Sequence, residues 1–209
     1  MKIKNLNVAY GEKVIYKDFN LEIENGLITV ILGESGAGKT TLLRAIANLC
    51  EYGGEIEKPN GISMVFQNDR LVKSLTVKEN ILLVNKDADA TWLLNEVGLG
   101  GYENAYPKTL SGGMARRVAL ARAFAGKGEL ALYDEPFINL DLKNKLSLIN
   151  IVKKKYKQEN KTLIVVTHDI KEAVLLADRI IVLKNGEVIS SIVKVEKDTE
   201  EKLFKTLTD

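Results

Sequence analysis

Apolar positions along the chain recur with two different periods. Lys2 to Ala9 and Val14 to Ile23 alternate apolar with polar residues, the period of half-buried strands, with Gly11 at the turn between them. Asn25-Gly26 marks a tight turn into Leu27-Ile28-Thr29-Val30-Ile31-Leu32, a short continuous apolar run of the buried parallel-strand type. Thr40 to Ala47 then takes helical spacing, and Tyr52 to Ile56 and Gly61 to Phe66 predict two more short strands. From about 68 to 126 the pattern turns helical over Val77 to Val84, Thr91 to Val97 and Gly113 to Phe124, which predicts a helical insertion. Beyond it strand and helix alternate: Leu130 to Tyr133, Leu142 to Tyr156, Thr162 to Thr167, Ile170 to Ala177 and Arg179 to Leu183. That alternation implies a parallel α/β sheet. Lys184-Asn185-Gly186-Glu187 predicts a hairpin joining Ile180–Leu183 to Val188–Ser191. From Lys194 the chain is charged, and Glu201 to Leu207 reads equally as a short surface helix or a frayed end.

Composition narrows the class without naming a chemistry. At 209 residues there is enough chain for one good core, read as a single domain over 1–209. A net charge of +2 gives no electrostatic argument for a nucleic-acid partner. Cys50 is the single cysteine, so there is no intrachain disulfide and no cysteine metal cluster; it follows an apolar helix and is expected buried. No run approaches the ~18 apolar residues of a membrane span, and the start Met1-Lys2-Ile3-Lys4-Asn5-Leu6 lacks a signal-peptide core. The expected location is cytoplasmic.

Chemistry enters at the end of the apolar run. Gly33-Glu34-Ser35-Gly36-Ala37-Gly38-Lys39-Thr40 joins that strand to the helix beginning near Thr40 and Thr41, the setting that confirms a phosphate-binding loop. Glycines let the backbone curl its N–H groups toward phosphate oxygens, and the helix dipole adds positive potential at the same point. Lys39 is placed to reach the β- and γ-phosphates of a nucleotide, and the Thr40 hydroxyl to ligate Mg²⁺. Leu130-Ala131-Leu132-Tyr133-Asp134-Glu135-Pro136 is an apolar strand ending in two carboxylates. In a parallel sheet such an end lies where ligands bind. Asp134 then holds Mg²⁺, directly or through water, and Glu135 polarises a water for in-line attack on the γ-phosphate.

Taken in order, residues 1 to about 190 resemble an ATP-binding-cassette (ABC) ATPase. Leu110-Ser111-Gly112-Gly113 matches the signature motif, and Asn139-Leu140-Asp141 matches the loop that crosses the dimer interface. The resemblance implies that Tyr10 stacks on adenine, that Gln67 touches Mg²⁺ at the entry to the helical subdomain, and that His168 contacts the γ-phosphate as a switch. The fold it implies is a P-loop α/β core with a parallel sheet, an N-terminal antiparallel β subdomain and the inserted helical subdomain. Ser111, Gly112 and Gly113 open a helix, so their hydroxyl and N–H groups form an outward-facing anion site. In the family two subunits pack head to tail and each signature helix closes the other's ATP site. A homodimer is therefore implied, together with integral-membrane permease subunits, a substrate-binding protein acting indirectly, and a place on the cytoplasmic face of the membrane.

Met114 departs from the family's usual glutamine, and the span from Lys39 to Gln67 is short, which suggests a trimmed antiparallel subdomain. Trp92 is expected to pack within the helical insertion, and Lys153-Lys154-Lys155 to form a solvated face. Tyr106-Pro107-Lys108-Thr109 and Asp134-Glu135-Pro136-Phe137 resemble bacterial importer ATPases, and Phe66-Gln67-Asn68-Asp69-Arg70-Leu71 and Thr167-His168-Asp169-Ile170-Lys171-Glu172-Ala173 resemble those of the nitrate/sulfonate/taurine type. Leu110 to Arg117 also resembles ATPases of bacterial phospholipid trafficking. Lipid or export systems, and soluble non-transport ABC ATPases, thus stay open as alternatives.

Overall fold

The structure is a computed structural model, and it describes residues 1–193, 195, 196 and 198–208. Of the charged tail, Lys194, Lys197 and Asp209 lie outside the described residues. Nine strands and seven α-helices are formed among the described residues.

The central sheet has six strands in the order β5 (Ile62–Val65), β6 (Leu130–Asp134), β7 (Thr162–Thr167), β3 (Ile28–Leu32), β8 (Arg179–Lys184) and β9 (Glu187–Val193). All neighbours are parallel except the β8–β9 hairpin. Every residue of β3, β6 and β7 is buried, which is why these strands read as unbroken apolar runs. Their side chains divide by period two into separate cores. Val30, Leu32, Tyr133 and Val165 face α4 (Gly112–Phe124), α5 (Leu142–Glu159) and α6 (Ile170–Leu176). Ile31, Leu132, Ile164 and Val166 face α1 (Lys39–Ile46) and the antiparallel sheet. Each fully buried aliphatic is worth roughly 1.5–3 kcal/mol. In the first core Tyr133 and Tyr156 share a 2.8 Å hydroxyl bond with their rings edge to face.

The antiparallel subdomain is a three-stranded sheet, β2 (Lys13–Glu22), β1 (Lys2–Tyr10) and β4 (Gly53–Glu57). The helical insertion holds α2 (Val77–Leu82), α3 (Ala90–Glu96), a 3₁₀ turn at Pro107–Thr109, and α4. A capping box, Thr76 with Glu79, starts α2. Buried Asn80 donates to the carbonyls of Val72, Leu75 and Thr76, fixing the loop that leads in. The tail resolves as a helix, α7 (Thr199–Thr208), with Leu203 fully buried, so the frayed reading is set aside.

Three expectations need correction. Cys50 is only half-buried, because the helix has already ended before it. Trp92 is 50% exposed and has the Lys155 ammonium 5.7 Å from its ring, so it borders a surface groove instead of packing inside the insertion. The lysine face is not freely solvated: Lys155 pairs with Glu159 and Lys153 donates to the Leu175 carbonyl.

Candidate active site

Four loops meet at the C-terminal ends of the parallel strands. They follow β3 (the phosphate loop), β5 (Gln67), β6 (Glu135) and β7 (His168). This end of an open α/β sheet is where ligands are held. A cleft of about 350 Å³ is lined there by Tyr10, Lys13, Ile15, Ser35, Gly36, Gly38, Lys39, Thr40, Thr41, Gln67 and Glu135.

The phosphate loop has the build the sequence predicts. α1 starts after Gly38 with no side-chain cap and no acid in its first turn, which leaves its N-terminal N–H groups and dipole for an anion. Gly33 cannot carry a side chain, since a Cβ there would lie 2.3 Å from the Leu183 carbonyl oxygen. Gly36 has open space around it but a φ of +87°, the left-handed region that glycine adopts without cost. The Lys39 ammonium donates to the carbonyls of Gly33 (2.7 Å) and Glu34 (2.8 Å), bridging its own loop. Burial lowers its pKa, and the nearby carboxylates of Glu135 and Asp134 oppose that shift.

Asp134 lies beneath the loop at 3% exposure, and Thr40 Oγ1 donates to its Oδ1 at 2.9 Å. Burial raises its pKa above the ordinary carboxylate value, partly offset by the Thr40 bond. Glu135 follows in a left-handed backbone conformation, φ +48°. For a residue with a side chain this costs about 1–3 kcal/mol and persists only where the surroundings over-determine it. Its N–H donates to the Val166 carbonyl and its carbonyl accepts from Arg116. Its carboxylate lies 2.9 Å from His168 Nδ1 and 3.4 Å from Thr167 Oγ1. Thr167 donates its one hydroxyl proton at 2.7 Å to buried Glu172, which pairs with Lys145 at 2.6 Å; Lys145 reaches Asp169 as well. A chain of polar contacts thus runs from α5 through α6 to Glu135.

Ser111, Gly112 and Gly113 do not line this cleft. Ser111 caps α4, its Oγ accepting from Met114 N–H at 3.3 Å, so the helix starts at Gly112, one residue earlier than its spacing predicts. Ser111 and Gly112 are exposed, and Gly113 lies against Leu140. Asp141 caps α5 by accepting from Asn144 N–H and is also outside the cleft. The structure therefore gathers Tyr10, the phosphate loop, Gln67, Asp134, Glu135 and His168 at one place. It sets the signature segment and the Asn139–Asp141 loop together at another.

Arg116 escapes a reading by motif. Its guanidinium is 2% exposed and donates to the carbonyls of Phe66, Gln67 and Glu135 and to the Asp69 carboxylate. The one available signal is a cation on the face of α4 otherwise filled by Ala119, Leu120 and Ala123.

A strand–loop–helix turn with an uncapped helix start, facing a carboxylate pair two strands away, is the build of a P-loop nucleotide hydrolase. A family model described as "ABC transporter" matches residues 16–138. The chain is 40% identical to the aliphatic sulfonates import ATP-binding protein SsuB 1 of Paracoccus denitrificans, across 89% of this chain and 80% of that protein. It is 41% identical to SsuB 3 of Paraburkholderia xenovorans, across 91% and 79%. Among solved structures it is similar to the ATP-binding cassette MJ0796 in a dimeric post-hydrolysis state bound to ADP and Pi, with a TM-score of 0.82 and 33% identity over 92% of this chain and 97% of that one. The chain belongs to the ABC transporter family, as one of its ATP-binding, ATP-hydrolysing subunits.

Proposed function

We propose that the chain hydrolyses MgATP to drive import of small sulfonate-type solutes through a membrane permease, working from the cytoplasmic face. The observation that carries this reading is the Glu135 carboxylate, set beside His168 and Thr167 in a cleft that also holds Lys39 and Thr40.

Each residue then has a task. Tyr10, half-exposed at the cleft wall, stacks on the adenine. Lys39 exchanges the carbonyls of Gly33 and Glu34 for the β- and γ-phosphate oxygens, while N–H groups of the loop from Gly33 through Ser35, Gly36 and Gly38 to Thr41 surround them. Thr40, Asp134 and Gln67 supply hard oxygen donors suited to Mg²⁺. Three oxygen donors leave room for phosphate oxygens and water in the six-coordinate shell that Mg²⁺ demands. Bound there, Mg²⁺ would neutralise charge developing on the phosphate oxygens. Glu135 takes the proton of the attacking water, and His168 fixes the Glu135 carboxylate and meets the γ-phosphate.

The exposed Ser111-Gly112-Gly113 helix start and Asp141 serve the cleft of a second copy, which makes the working unit a head-to-tail dimer. The permease docks on the helical insertion, and a substrate-binding protein delivers cargo on the far side. Among the described residues no helix is long and apolar enough to cross a membrane. The sulfonate class comes from relatives aligned over about nine-tenths of the chain, whereas the lipid-trafficking alternative rests on one segment, Leu110 to Arg117.

Uptake is the test. Cells lacking the chain should not accumulate a labelled alkanesulfonate, and the wild-type chain, but not Glu135→Gln, should restore it. Purified Glu135→Gln should bind ATP and hydrolyse it roughly 10²–10⁴-fold more slowly. Uptake that persists without the chain overturns the import reading. Wild-type turnover by Glu135→Gln overturns the site.

A further inference from the structure

We propose that Arg116 is a positioning residue for hydrolysis, a buried guanidinium that locks the signature helix to the backbone beneath Gln67 and Glu135. The proposal rests on the role given above to Glu135.

Arg116 Nη1 donates to the Phe66 carbonyl (2.6 Å) and to Asp69 Oδ1 (3.1 Å). Its Nη2 donates to the carbonyls of Gln67 (3.0 Å) and Glu135 (2.7 Å). A guanidinium has two N–H groups on each Nη, so both forks are filled. Three of the four acceptors are main-chain oxygens in two loops that both end at the cleft. Asp69 is the charge partner, and burial raises its pKa while Arg116 and Arg122 oppose the rise.

The contact with Glu135 has a specific geometric effect. Holding the carbonyl of a residue fixes the peptide plane that follows it. Glu135 is already in a left-handed conformation, with its N–H tied to Val166. Pinning its carbonyl as well leaves its Cα–Cβ bond one direction, toward His168. The same side chain starts on α4, five residues beyond Ser111. A displacement of the signature helix therefore reaches the Glu135 and Gln67 backbones through one rigid planar group. Arg122, two turns further along α4, holds the carbonyls of Asp69 and Arg70 and extends the attachment. A lysine has a single ammonium in place of the fork and could not span both loops.

The experiment uses the full chain with MgATP and three variants: Arg116→Lys, Arg116→Gln and Arg116→Gln combined with Glu135→Gln. Arg116→Gln should lower kcat by roughly 10²-fold, the scale set by misplacing a reacting group by about 1 Å. KM and calorimetric ATP affinity should stay within about threefold, because no phosphate-loop group has moved. Arg116→Lys should recover only part of the loss, since a folded charge-retaining variant still lacks the fork. In the double variant the two losses should not multiply, because both act on the same carboxylate. Wild-type kcat in both single variants overturns the proposal. So does a loss of ATP affinity as large as that of turnover, or fully multiplicative effects in the double variant. If Arg116→Gln is insoluble, Arg116→Lys decides: full turnover with native melting sinks the positioning role, and a kcat-only loss supports it. Normal turnover by Glu135→Gln alone would instead overturn the underlying site.

Discussion

The phosphate-loop end and the signature end of this chain are both glycine-bearing helix starts, yet they are built differently. At α1 the groups around the helix start are already tied down. Lys39 bridges two carbonyls, Thr40 holds Asp134, and Glu135 is gripped through its N–H, its carbonyl and its carboxylate. At α4 Ser111 and Gly112 are exposed, the Ser111 hydroxyl accepts from the Met114 N–H of its own helix, and neither residue lines the cleft. One end is preorganised and the other is open. That asymmetry fits the divided site proposed above, and each half can be attacked separately.

The largest effect should come from the open end. Ser111→Arg places a bulky cation where a second copy's γ-phosphate would arrive. Hydrolysis should fall by about 10²–10³-fold, the scale of a lost transition-state donor, while calorimetric ATP binding by the isolated subunit stays intact. Equal loss of binding and turnover would place Ser111 within its own subunit's cleft and dissolve the contrast.

Lys39→Ala should damage the closed end in the opposite manner. Removing a buried cation from its charged partner costs about 2–5 kcal/mol, so MgATP affinity should fall at least about 30-fold, with hydrolysis lost through binding. Wild-type affinity in calorimetry would remove the phosphate loop from the site.

Met114→Gln tests whether the open end works through backbone or side chain. Met114 contributes its N–H to the Ser111 cap, which any residue can supply. Turnover should change by less than about tenfold, or about 1.4 kcal/mol. A much larger gain or loss would make this side chain a determinant of closure.

The smallest effect concerns stability. Asp134 binds its proton more tightly in the folded chain than in the unfolded one, because burial raises its pKa. Where folded and unfolded values differ in this direction, rising pH through the window above 3.8 weakens the fold. Asp134→Asn should therefore melt a few degrees higher than wild type at neutral pH without nucleotide, and its melting temperature should vary less from acid to neutral pH. A lower melting point for the variant would show that Asp134 stabilises the structure instead of burdening it.

Much of the preorganised half is legible in the sequence because its signals are local. The Gly33–Thr40 spacing, the apolar run before it and the Asp134-Glu135 strand end each lie within a few residues, and the sheet places them. The signature segment is located by motif order, but the one-residue shift of the α4 start that the Ser111 cap produces is not. What else escaped depends on long-range pairing. Arg116 meets Gln67 across 49 residues and Lys145 meets Glu172 across a helix boundary, and no local periodicity encodes either contact. The left-handed backbone at Glu135 is hidden for the same reason, since tertiary bonds impose it. Trp92 and Lys155 depart from expectation because helical spacing tells which residues share a face but not which face is left uncovered.

The two glycines that frame the phosphate loop also set how this segment can drift over generations. At Gly33 even a methyl group would meet the main chain of β8, so no alphabet of side chains offers a substitute and the position is closed to change. At Gly36 space is open and only the left-handed backbone objects. Asparagine and aspartate tolerate that conformation, so this position can sample a small set of polar residues before the loop reshapes. In a library of loop variants selected for growth, Gly33 should emerge invariant and Gly36 should not: of two identical letters in one motif, one is an absolute and the other a preference.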